Sequence, residues 1–134
     1  MSDKGFEKYA VEGPQQARFA YSPAIVTRGG RQVWLAGHVG YRNDDGSLLQ
    51  GGIEEQTYKT FSNMEKTLAK VGGTLKDVVT MTAFLTDAAY IKPMNDIRAK
   101  LFGPDYPASA SIVIAGLADP AIMLEIQAVA VIAD

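Results

Sequence analysis

Glu125, with Gln127, interrupts the apolar run that closes the chain, Ile122 to Ile132. A carboxylate in such a run is costly unless something partners it. Burial raises a carboxyl pKa, which suits the group to take a proton from an attacking water and return it to a leaving group. A structural hydrogen bond or a subunit-interface ion pair accounts for it equally well. His38 is the only histidine. It ends the run Val33-Trp34-Leu35-Ala36-Gly37-His38, with Gly40 two residues on. Gly37 lets backbone approach a ligand, and imidazole exchanges protons near neutral pH. The plain alternative is a half-buried ring bonded to a carbonyl. Ser109 and Ser111 share one face of a strand and face a ligand together if that strand lines a cleft; otherwise they fill space. Neither lies in a G-x-S-x-G elbow, so a serine nucleophile is not expected without His38 alongside. Asn95 either lies on a solvated helix face or reaches a cleft. Arg28, Arg31 and Arg98 are surface cations by default and, from other backbone positions, candidates to hold an anion. Trp34 and Tyr58 are read as packing residues. One histidine and no cysteine leave no metal cluster, no thiol chemistry and no expected cofactor.

The elements that must position these residues follow from period and punctuation. Ala24 to Arg28 and Gln32 to Ala36 flank Gly29-Gly30 and read as a β-hairpin. Ile53, Thr57, Phe61, Met64, Leu68 and Val71 recur every three or four residues, which predicts a helix ended by Gly72-Gly73. Asp77 to Thr86 alternates as a strand, with Val79, Met81, Ala83 and Leu85 on one side and the half-polar set Val78, Thr80, Thr82 and Phe84 on the other. Asp87 suits the N-cap of a second helix to about Phe102, with Pro93 in its first turn. Ser109 to Ala115 and Ile122 to Ile132 complete the pattern as strands, the last central in the sheet. The order is β-β-α-β-α-β-β: an α+β fold, a mixed sheet with two helices on one face.

The 134 residues suit one domain spanning 1–134. No apolar run reaches the roughly 20 residues that cross a bilayer, and the polar segment from Met1 to Arg18 is no secretory leader. No membrane partner is expected, and the expected compartment is cytoplasmic. With net charge −2, and with Asp3, Glu7 and Glu12 interrupting Lys4, Lys8, Arg18, Arg28, Arg31 and Arg42, there is no basic stripe for nucleic acid.

Five local signatures, in order, resemble the YjgF/RidA family. Leu35-Ala36-Gly37-His38-Val39-Gly40 stands where that family has S-G-Q-I-P, and Asp77 to Leu85 is similar to its D-I-V-K-T-T-V-F-V strand. Met94-Asn95 matches V-N, Tyr106-Pro107-Ala108 matches F-P-A, and Leu124 to Ala130 matches I-E-I-E-A-I-A. The resemblance implies a chorismate-mutase-like fold and a homotrimer. Each cleft between subunits would be built from the F-P-A-R strand, the final strand and a neighbour's loop. It implies hydrolysis of an imine or enamine, with an arginine after F-P-A clamping a carboxylate and the glutamate activating water. Glu125 and Asn95 carry over. The arginine position is Ser109, which offers one hydroxyl and no charge, and with Ala24 after Ser22-Pro23 the family's tyrosine has no counterpart. The expectation is an intersubunit small-molecule site, with Glu125 and His38 catalytic and Ser109, Ser111, Asn95 and Gly37 binding. It would act on an enamine or imine other than a standard 2-iminoacid, in a catabolic pathway. The rival is a non-catalytic metabolite-binding or regulatory protein.

Overall fold

The computed structural model describes residues 5–134; Asp3 and Lys4 of the charge pattern lie outside them. The elements are β1 (Glu7–Val11), α1 (Gln15–Phe19), β2 (Ala24–Arg28), β3 (Arg31–His38), α2 (Ile53–Ala69), β4 (Val78–Leu85), α3 (Ile91–Phe102), β5 (Ala108–Val113) and β6 (Leu124–Ile132). Short 3₁₀ turns precede β4 and α3. Two of these, β1 and α1, the sequence reading missed, because five-residue segments with interspersed charges carry too few apolar positions to show a period.

The expected hairpin across Gly29-Gly30 is corrected. Both strands form, and both glycines take the left-handed backbone the turn needs (φ 71° and 77°). The strands then part company: β2 pairs antiparallel with β1, while β3 pairs antiparallel with β6. The main sheet runs β3-β6-β4-β5, with β5 parallel to β4 and β6 interior as expected.

α2 presents Thr57, Phe61, Met64 and Leu68 to the sheet, all fully buried. Its first turn is held by Glu55, whose carboxylate accepts from the Gly52 amide at 2.7 Å. Asp87 caps the turn before α3 by accepting from Ala89 N–H at 2.8 Å, and Pro93 lies in the first turn of α3. Phe61 meets Phe102 of α3 edge to face at 5.2 Å. One core, containing Leu35, Met81, Ala83, Leu85, Ile126 and Ala128 of the sheet, lies beneath both helices. The larger of these, Leu35, Met81, Leu85 and Ile126, contribute about 1.5–3 kcal/mol each. The expected faces of β4 hold from Met81 on, but Val78 is buried and Val79 is not. A register shift between Val78 and Thr80 inverts the alternation there.

Candidate functional site

The first concentration of candidate residues lies at the outer edge of β5. Parallel pairing sets Ser109 beside Met81 and Ser111 beside Ala83, so both serines share the helix-side face. They line a cavity of about 280 Å³ with Phe19, Tyr21, Ile91, Asn95 and Arg98. The deepest polar group is the Arg98 guanidinium. It is 1% exposed, held by α3 one turn after Asn95. It donates to Ser109 Oγ at 2.7 Å, Asn95 Oδ1 at 2.9 Å and the Phe19 carbonyl at 2.9 Å. Its Nε is buried without a partner. The Tyr21 ring lies 5.9 Å from the guanidinium carbon and stacks on Phe19 at 6.2 Å. Burial lowers the Arg98 pKa to about 10, opposed only by the Tyr21 hydroxyl, so the group remains a cation at neutral pH.

The second concentration lies at the opposite edge, on β3. Between Leu35↔Ala128 and His38↔Ile126 the register shifts, leaving Ala36 and Gly37 opposite the single residue Gln127. That bulge reorients the strand end. His38 pairs with the buried Ile126 and so points to the helix side. Its Nδ1 donates to the Ala36 carbonyl at 2.8 Å, and its Nε2 lies 2.8 Å from Thr67 Oγ1 on α2. With both nitrogens engaged, the ring ties β3 to α2. Glu125 is one residue out of phase with Ile126 and points to the other face, opposite Phe84. Its carboxylate lies on Gly37, in the space a side chain there would fill. Glycine at 37 is therefore what admits the carboxylate. No ion pair among the described residues involves Glu125. The expectation that Glu125 and His38 share a cleft is corrected within one chain: they project from opposite faces. Three strand spacings, about 14 Å, separate β3 from β5, so His38 is not the neighbour that would activate Ser109.

The face bearing Glu125 carries no helix. Trp34, expected to pack, is 74% exposed there, beside Thr80, Thr82, Gln127 and Val129.

The family model described as Endoribonuclease L-PSP matches residues 13–132. The chain belongs to this family, that of the YjgF/RidA proteins. It is 30% identical over 110 residues to a RutC family protein of Pyrococcus abyssi, covering 82% of this chain and 84% of that one. It is 30% identical over 111 residues to the human 2-iminobutanoate/2-iminopropanoate deaminase, covering 83% and 79%. Among solved structures, a Rid-family protein of unknown function from Yersinia pestis superposes with a TM-score of 0.82 at 26% identity, over 93% of this chain and 98% of that one. The Psychrobacter RidA gives 0.71 at 26% identity, over 98% and 97%. The fold is therefore the chorismate-mutase-like α+β fold of YjgF/RidA proteins.

Tyr21, two residues before Pro23, stands against Arg98. Arg98 was weighed only as one of three arginines. The signal available was its spacing: Asn95 and Arg98 are i, i+3 and so share a helix face. Phe19 gave no signal, because the helix that carries it was not recognised. Among the described residues no helix is long and apolar enough to cross a membrane.

Proposed function

We propose that this chain hydrolyses the C=N bond of an imine, or of an enamine through its imine tautomer, at a site shared between subunits of a homotrimer. Support comes from one observation: the candidate residues divide between the two outer strands of one sheet. Asn95, Ser109 and Ser111 gather at β5, and Gly37, His38 and Glu125 gather at β3. Neither set alone has both a ligand cavity and a free carboxylate. A head-to-tail contact of β5 on one subunit with β3 on the next joins the two sets, and repeated around a ring it closes. It also covers sheet edges that would otherwise template aggregation, and turns the Trp34 face inward.

In this reading Glu125 takes a proton from water as the oxygen attacks the imine carbon. The adduct receives that proton on nitrogen and becomes a carbinolamine; its C–N bond then breaks as Glu125 passes the hydroxyl proton to the departing nitrogen, and a ketone and ammonia leave. His38 acts as a positioning residue, fixing the bulge that seats Gly37 beneath Glu125. With Ser109 there is no strand-borne arginine, so a substrate carboxylate is not held, as that of a standard 2-iminoacid would be, by a clamp on β5.

The test combines mass, turnover and complementation. Light scattering should give three times the 14.4 kDa chain mass, and a panel of imines and enamines should release ammonia. Ser111→Phe fills the cavity and Glu125→Gln removes the proton carrier, so each variant alone should be inactive. In co-expressed mixed rings, an interface works when one subunit supplies an intact cavity and the next an intact carboxylate. For random mixing that is about a quarter of interfaces, whatever the ring size. No recovery in mixed rings places both halves in one chain and sinks the shared site. Ligand binding without ammonia release from any substrate favours the non-catalytic reading.

A further inference from the structure

The Arg98 guanidinium is fully buried yet faces a cavity, and its three acceptors, Ser109 Oγ, Asn95 Oδ1 and the Phe19 carbonyl, are all neutral. No carboxylate among the described residues pairs with it. A guanidinium has five N–H donors; with three engaged, two remain, one of them the partnerless Nε. A buried cation without a counter-ion is an unfavourable arrangement that a fold retains for a reason. The group is also rigidly held, by three hydrogen bonds and the Tyr21 ring, so little ordering remains when an anion arrives.

We propose that Arg98, brought from α3 to the Ser109 hydroxyl, is the anion anchor of this site, and that its ligand is a small organic carboxylate. Strand β5 carries a serine where a strand-borne arginine would stand, and the helix packed beside it supplies the charge. Ser109 has a defined task in this arrangement: it is small enough to admit the guanidinium and its oxygen fixes one arm of the fork. Because the cation approaches from the helix side, the carboxylate sits against Tyr21 and Asn95, and the rest of the ligand extends along Ser111 toward the open edge of β5. This inference deepens the proposed function by naming the charge its substrate carries. It rests on that reading only in taking the cavity as half of the site.

The experiment is calorimetric titration of the full chain with pyruvate and benzoate, and with methyl pyruvate as the uncharged control. Wild type should bind at least one carboxylate and not the ester. Arg98→Met, checked for folding by circular dichroism, should weaken that binding at least about tenfold. Arg98→Lys should fall between, keeping charge without the fork. Arg98→Met combined with Ser109→Arg returns a cation to the strand and should regain most of the affinity, which a merely structural Arg98 would not allow. Undiminished binding by Arg98→Met, equal binding of the ester, or no binding of either carboxylate overturns the assignment. Binding is read without turnover, so carboxylate binding together with no ammonia release from any member of the imine and enamine panel refutes the proposed hydrolysis while leaving the anchor in place.

Discussion

If Arg98 is kept for a ligand and not for the fold, Arg98→Met should leave the stability of the unliganded protein almost unchanged. Burial lowers the guanidinium pKa from the ordinary arginine value to about 10. At roughly 1.4 kcal/mol per pH unit, keeping it charged inside the fold costs about 3 kcal/mol. The sign follows from linkage. A base whose folded pKa is depressed destabilises the fold in full below that pKa, and the penalty is relieved only as pH rises through about 10. At pH 7 the whole cost is therefore present. Methionine removes it but orphans three acceptors. Ser109 and Asn95 border the cavity and can turn to water, whereas the Phe19 carbonyl loses its partner, and together these cost about 1–3 kcal/mol. The two effects nearly cancel, so urea denaturation at pH 7 should place the variant within about 1.5 kcal/mol of wild type. Saturating carboxylate at a hundred times its dissociation constant should then stabilise wild type by about 2.7 kcal/mol and leave Arg98→Met unmoved. A loss above about 3 kcal/mol without ligand would refute the reasoning, because breaking a compensated buried ion pair costs that much.

The other expectations concern the β3 edge. Gly37→Ala places a methyl group where the Glu125 carboxylate lies, so turnover should fall about as far as in Glu125→Gln, roughly a hundredfold or more, while carboxylate affinity stays within about threefold; unaltered turnover would mean that Glu125 does not act from this position. His38→Ala removes the contacts to Ala36 and Thr67 and should cost about 1–2 kcal/mol by urea denaturation. Its loss of turnover should be well short of that in Glu125→Gln, and a hundredfold loss at unchanged stability would make His38 catalytic after all.

Much of this fold was legible because its longer elements obey strong local rules. The face from Thr57 to Leu68, the N-cap at Asp87 and the placement of Pro93 need only near neighbours, and the apolar run from Leu124 marks an interior strand wherever it is placed. The ordered motifs from Leu35 to Ala130 were enough to point to the family. Strand partners were another matter. The glycine pair at 29 and 30 dictates a turn but not what the flanking strands bond to, and the burial of β3 against β6 outweighed the local hairpin. One register shift in β4 put Val78 inside, and a separate one in β3 turned His38 to the face opposite Glu125; no period in the sequence records either. The missing arginine is the sharpest case. Position 109 reads as a lost charge, and the chain fixes that serine locally. Only the packing of α3 against β5, eleven residues apart in sequence, decides that a guanidinium stands there, because a side chain's reach across two packed elements is a property of their tertiary arrangement.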